Sequence, residues 1–176
     1  MTDALEAILP HETQELARDF LRRACDADVK LATAESCTGG LLAAILTDVE
    51  GCSHAFDRGF VTYDAQAKCD MLGLSEDIVE RNAAVNEAVA TGMAEAAIRQ
   101  SSASIAVGIT GFAGQCSDDQ EEGLVFIGCA AKGQPTACRE EHFGALGRDA
   151  IRRAALRSAL EMMDEALDAI AEKGNA

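Results

Sequence analysis

Basic residues are scarce in this chain, where 15 Lys and Arg stand against 30 Asp and Glu for a formal net charge of −15 at pH 7. That balance excludes the broad cationic face by which proteins hold nucleic acid or an anionic membrane. It does not exclude a small anion, because salt screens distant charges beyond about 8–10 Å and local geometry then decides binding. Long apolar runs are also missing: nothing approaches the roughly 18 uninterrupted apolar residues of a membrane helix. The first residues carry Asp3 and Glu6 but no Lys or Arg before Arg18, unlike the basic start of a secretory signal, so a cytoplasmic location is expected. The seven cysteines form no CxxC pair and are odd in number, which speaks against a zinc ribbon or a complete disulfide framework. Most are expected as small core residues. Histidine is rare too. His11 falls in a helical segment, His54 in a loop and His142 on an edge strand, none placed to serve a nucleophile.

What is present is ample apolar material: 176 residues at 48% hydrophobic content suffice for one compact core, so residues 1–176 are expected to form a single domain. Residues 11–27 have helical periodicity, with Leu16, Phe20, Leu21 and Ala24 on one face. Strands are expected at 29–34, 56–63, 104–109, 123–131 and 136–143, and helices at 38–47, 64–71, from Ser75, from an Asn86 cap to 100, and at 147–171. Helices interleaved with apolar strands, followed by two strands joined through Lys132-Gly133-Gln134-Pro135, predict an α/β fold. It is a single-domain three-layer α/β/α sandwich with a mixed, mostly parallel sheet of about five strands. The last helix carries Ile151, Ala155, Leu156, Leu160 and Met163 among other apolar residues, enough to cover the sheet and also meet a second copy of the chain.

In folds of this kind ligands gather at the carboxyl ends of parallel strands. Two such ends carry glycine. The first is Thr33-Ala34-Glu35-Ser36-Cys37-Thr38-Gly39-Gly40, where an extended segment passes into a helix; the second is Thr110-Gly111-Phe112-Ala113-Gly114. Free N–H groups at a positive helix end favour an anion, so the backbones of Thr38, Gly39 and Gly40 and the turn Thr110-Gly111 form the expected phosphate cradle. Arg148 and Arg152, four apart on one helix face, would add charge. Read alone, Ser36 is a helix cap, Lys68 a solvated helix lysine and Tyr63 an amphipathic strand residue. Cys37 is a rival nucleophile, since a helix N-terminus lowers a thiol pKa.

The stretches just quoted, together with Thr47-Asp48-Val49, Arg58-Gly59-Phe60-Val61-Thr62-Tyr63, Ala67-Lys68, Leu72-Gly73, Ala84-Val85 and Arg148-Asp149-Ala150-Ile151-Arg152, resemble the CinA C-terminal domain family. Within it they look like the nicotinamide mononucleotide amidohydrolases of the PncC type. The resemblance implies deamidation of nicotinamide mononucleotide to nicotinic acid mononucleotide and ammonia, with neither metal nor organic cofactor. By position it assigns the catalytic set Ser36, Tyr63 and Lys68. A lysine whose pKa is lowered by desolvation can deprotonate a serine. An acyl enzyme on Ser36, with Tyr63 relaying the proton, and direct attack by water are both open. The resemblance also implies self-association, and a homodimer is expected.

The chain departs from the family pattern in one loop. A proline- and glycine-rich segment with a Lys-Pro-Val-Gly stretch is usual, whereas this chain has Gln115-Cys116-Ser117-Asp118-Asp119-Gln120-Glu121-Glu122-Gly123. Asn86 stands where serine is common, and Gly147 where Asp is. Acidic residues beside an anionic ligand are unfavourable, which opens an alternative: a catalytically weak or inactive nucleotide-sensing or interaction domain on the same fold.

Overall fold

In the computed structural model of the chain, which describes residues 9–114 and 117–174, the most apolar segments lie at the middle of a five-stranded sheet. Leu31–Glu35 (β1) and Ile105–Gly111 (β3) pair in parallel, with Leu31 opposite Ile105. Phe56–Val61 (β2) pairs in parallel with the other side of β1. Beyond β3 come Leu124–Ala131 (β4) and Ala137–His142 (β5), each antiparallel to the strand before it. In the order β2-β1-β3-β4-β5, β4 alone runs against the others, so the mixed sheet and its terminal hairpin are as expected.

Successive side chains on a strand point to opposite faces, and here they separate two helical layers. Leu31, Ile105, Val107, Val125 and Ile127 face His11–Asp26 (α1), Leu41–Leu46 (α2) and Arg148–Gly174 (α6), where Phe20, Leu42, Leu156 and Leu160 complete one core. Ala32, Ala34 and Ala106 face the other way, against Val89, Met93 and Ala97 of Glu87–Arg99 (α5) and Leu72 at the end of Ala65–Leu72 (α3). Small residues on that face let α5 approach closely. A Cβ on Gly108 would lie 2.3 Å from the Ala90 carbonyl oxygen, and one on its register partner Gly128 would lie 2.5 Å from the same atom. Alanine at either position would push the helix off the sheet.

The structure corrects one expectation and refines another. The helix expected from Thr38 starts only at Leu41, because Gly39 and Gly40 turn left-handed with φ of +62° and +89°. The helix expected from Ser75 is present, with Ser75 at its N-cap position, but it runs for only one turn, Glu76–Val79 (α4), before a 3₁₀ turn at Arg81–Ala84. Much of the apolar surface of α6 covers the sheet as expected, with Ile151, Ala155, Leu156, Ala159, Leu160 and Met163 buried in the fold's own core. Asn86 does cap α5, its Oδ1 accepting the Val89 N–H at 2.9 Å. No described helix is long and apolar enough to cross a membrane.

Register fixes where a site can form. The ends of β1 and β2 pair at Glu35 and Val61, β3 ends opposite Val125, and β5 ends opposite Leu124. All four carboxyl ends therefore lie along one side of the sheet, and α6 begins there.

Candidate active site

On that side of the sheet is a cavity of about 740 Å³. Ser36 and Cys37 line it from the end of β1, Tyr63 and Lys68 from the end of β2 and from α3, Thr110 to Gly114 from the end of β3, and Arg148 from the start of α6. Lys68 is 2% exposed, and its Nζ donates to Ser36 Oγ at 3.0 Å, to the Thr62 carbonyl at 2.9 Å and to the Tyr63 carbonyl at 3.4 Å. The placement of α3 accounts for this burial: Asp64 caps the helix by accepting the Gln66 N–H at 2.7 Å, and one turn later the Lys68 side chain reaches Ser36 just past the end of β1. Among the described residues no carboxylate forms an ion pair with Lys68. Burial consequently holds its pKa below the ordinary lysine value of 10.5, against weaker opposing effects of Cys37, Asp64 and Cys69. An amine that gives up its proton more readily than usual, in contact with a hydroxyl, is the arrangement that serine activation requires.

Three residues of the expected catalytic set thus meet at one wall, with a difference for Tyr63. Its main-chain carbonyl is what touches Ser36 Oγ and Lys68 Nζ, each at 3.4 Å. The phenol is 62% exposed, and its oxygen accepts from Arg148 Nη2 at 3.4 Å. A proton relay through the phenol is not what this geometry offers; its hydroxyl belongs with Arg148 on the far wall. Thr110 and Gly111 also line the cavity, and the Thr110 hydroxyl donates to the Ala84 carbonyl at 2.8 Å. That bond holds the turn in which Ala83 and Ala84 have φ of 52° and 65°. Left-handed backbone at two successive non-glycine residues costs energy and tends to persist only at functional sites. No signal in the sequence marks those alanines.

The expected cradle at Thr38, Gly39 and Gly40 is overturned. None of the three lines the cavity. The Gly39 N–H closes a turn onto the Ser36 carbonyl at 3.0 Å. The N–H groups of Gly40, Leu42 and Ala43 all donate to the buried Glu35 carboxylate, at 3.0, 3.1 and 2.8 Å. The chain's own anion fills the position foreseen for a phosphate. Arg152 is likewise diverted, donating to the Thr38 carbonyl at 2.6 Å, while Arg148 faces the cavity. Cys37 is no rival nucleophile, since burial pushes its thiol up to about 12. Of the acidic loop, Glu122 and Gln120 line the cavity, whereas Glu121 turns to His142 Nδ1 at 2.8 Å. Gln115 and Cys116 lie outside the described residues.

A buried serine–lysine pair under a cavity at the carboxyl ends of parallel strands defines an α/β domain with a candidate hydroxyl nucleophile. Residues 13–167 match the family model of the CinA C-terminal domain, and the chain belongs to that family. It is 41% identical over 136 residues to the nicotinamide-nucleotide amidohydrolase PncC of Escherichia coli (strain K12), covering 76% of this chain and 81% of that protein. Against the CinA-like protein of Syntrophobacter fumaroxidans it is 42% identical over 136 residues, 76% of this chain but 32% of that protein. The chain therefore spans about a third of the length of such relatives. Among solved structures, the competence/damage inducible protein CihA from Agrobacterium tumefaciens is similar with a TM-score of 0.86 and 40% identity, covering 91% of this chain and 98% of that one. A CinA superfamily protein from Escherichia coli gives a TM-score of 0.81 at 32% identity, with 94% and 99% covered.

Proposed function

We propose that this chain is an amidohydrolase that converts nicotinamide mononucleotide to nicotinic acid mononucleotide and ammonia. One observation carries the reading: the 3.0 Å contact between a nearly unexposed Lys68 and Ser36 at the wall of a cavity of about 740 Å³. The 41% identity to a relative named for this activity supports the substrate. In the proposed reaction neutral Lys68 takes the Ser36 proton and Oγ attacks the carboxamide carbon. The tetrahedral oxyanion is then met by backbone donors assigned to Gly111, Ala113 and Gly114, since the Phe112 N–H is held by the Leu124 carbonyl at 2.9 Å. Lys68 returns the proton to the departing nitrogen, ammonia leaves, and water, deprotonated in turn by Lys68, hydrolyses the acyl enzyme. The Thr62 and Tyr63 carbonyls fix the amine against the hydroxyl throughout. The phosphate is assigned to Arg148 and the first turn of α6, a 27-residue helix whose positive end opens on the cavity.

Ammonia release from nicotinamide mononucleotide by the purified chain tests the proposal. Ser36→Ala and Lys68→Ala are each expected to lower kcat by about 10³-fold or more; undiminished turnover in either would refute the assignment. Glu122 on the cavity wall, unfavourable to an anionic substrate, favours the second reading, a catalytically weak or inactive nucleotide-sensing or interaction domain on the same fold. Tight binding with no ammonia would select it. The expected homodimer is tested by sedimentation velocity.

A further inference from the structure

Glu35 precedes the nucleophile, is 0% exposed, and has been given no part in the chemistry so far. Its side chain reaches across the following turn. Oε2 accepts the N–H groups of Gly40 at 3.0 Å and Leu42 at 3.1 Å, and Oε1 accepts that of Ala43 at 2.8 Å. Its main chain is held as well, the carbonyl accepting the Thr62 N–H at 2.8 Å, and the next N–H, that of Ser36, donates to the Ile109 carbonyl at 3.0 Å. The carboxylate therefore closes a ring around residues 36–39 whose other side is strand backbone. Ser36 sits inside it. A turn with two left-handed glycines is otherwise the most adaptable backbone in the neighbourhood.

The geometry points to Glu35 as the positioning residue of the nucleophile: it clasps the start of α2 so that Ser36 Oγ stays in register with Lys68 Nζ. Glu35 touches neither Ser36 Oγ nor Lys68 Nζ and acts only through the backbone of the turn. Three N–H donors call for a group that only accepts, and no neutral side chain of the same length supplies that. A glutamine would set an NH₂ against at least one N–H donor and lose that bond. The consequence is geometric, since a displacement of about 1 Å at a reacting centre costs about 10²-fold.

This inference rests on the reading of Ser36 as nucleophile, and its test does not need the amide substrate. Phenylmethanesulfonyl fluoride serves as the probe: Ser36 Oγ forms a bond to sulfur, the S–F bond breaks, fluoride leaves, and the hydroxyl proton passes to Lys68. The labelling rate is read by intact mass and normalised to the folded fraction from circular dichroism. In Glu35→Gln, labelling and kcat are expected to fall together by about 10- to 100-fold per folded molecule, with KM kept within about twofold. Ala43→Pro removes one of the three N–H donors in the first helical turn, where proline is tolerated, and leaves Glu35 in place. A smaller loss of about 3- to 10-fold is expected there. A role confined to stability would lower the melting temperature and leave the per-molecule labelling rate at the wild-type value. That result, in whichever variant folds, overturns the proposal. Wild-type chain that is labelled at Ser36 but releases no ammonia would sink the proposed substrate and leave the Glu35 test intact.

Discussion

The two glycine-bearing strand ends look alike as sequence and differ as structure. At the end of β1 the amides of Gly40, Leu42 and Ala43 are all taken by Glu35. At the end of β3, the segment from Thr110 to Gly114 lines an open cavity with Arg148 opposite. A glycine-rich entry to a helix is an anion site only if the chain leaves its amides free, and here it places a carboxylate among them. The first end spends its amides on its own carboxylate; the second lines the cavity and, on the reading proposed above, faces the ligand together with the start of α6.

The strongest way to break this division is to remove proton transfer at the first end without removing charge. Arginine stays protonated in proteins, so Lys68→Arg is expected to lower kcat by about 10³-fold, close to the loss in Lys68→Ala. For the wild-type chain the sign of the pH dependence follows from the burial of Lys68, which lowers its pKa from 10.5. With neutral lysine as the proposed base, kcat/KM is expected to fall as pH falls through the shifted pKa and to level off above it. The midpoint is expected below 10.5, the ordinary lysine value from which burial lowers Lys68. A midpoint at or above that value, or turnover in Lys68→Arg near that of the wild type, would show that Lys68 is not the base.

A smaller effect separates the two ends as anion sites. Arg148→Ala is expected to raise KM for nicotinamide mononucleotide by about 10- to 100-fold, the worth of a charge-assisted hydrogen bond. The corresponding nucleoside, which lacks the phosphate, should show less than about a twofold change. At the other end Gly39→Ala forces a side chain into φ +62°, with its Cβ 3.4 Å from Arg152 Nη2. Denaturant unfolding is expected to show a loss of about 1 kcal/mol. KM should stay within about twofold, because the Gly39 and Gly40 N–H groups are already bonded within the chain. The reverse pattern, with KM moved by Gly39→Ala and unmoved by Arg148→Ala, would restore the cradle at 38–40.

Much of this was legible in the residues themselves. Alternating apolar positions located the strands, and the pairing of Ser36 with Lys68 followed from a resemblance carried by contiguous motifs. The length of α2 and the fate of its amides were not legible, because they depend on Glu35 folding back over five to eight residues, and no periodicity records that. The left-handed turn at Ala83 and Ala84 was hidden for a related reason: alanine does not signal positive φ, and the conformation is imposed from outside, partly by the Thr110 hydroxyl. Tyr63 lines the cavity, but it is its main-chain carbonyl, as an acceptor, and not its phenol that contacts Ser36 and Lys68. A sequence names side chains, and main-chain groups become ligands only once the fold is known.

The acidic loop gives the smallest and most local test of the open end. Four carboxylates looked equivalent in the sequence, yet Glu121 is bonded to His142 while Glu122 lines the cavity with Arg148. Coulomb repulsion between exposed like charges a few ångströms apart in water is worth under about 1 kcal/mol. Glu122→Gln is therefore expected to tighten binding of nicotinamide mononucleotide by only about two- to threefold at low ionic strength. Near 1 M salt the screening length is about 3 Å and the gain should vanish. Glu121→Gln is the matched control, with the same change in net charge at a residue turned to His142, and should leave affinity unchanged. Equal gains in both variants would mean that the ligand senses the chain's overall negative field and not one carboxylate on the wall, and the open end would then lose its claim to a locally built phosphate site.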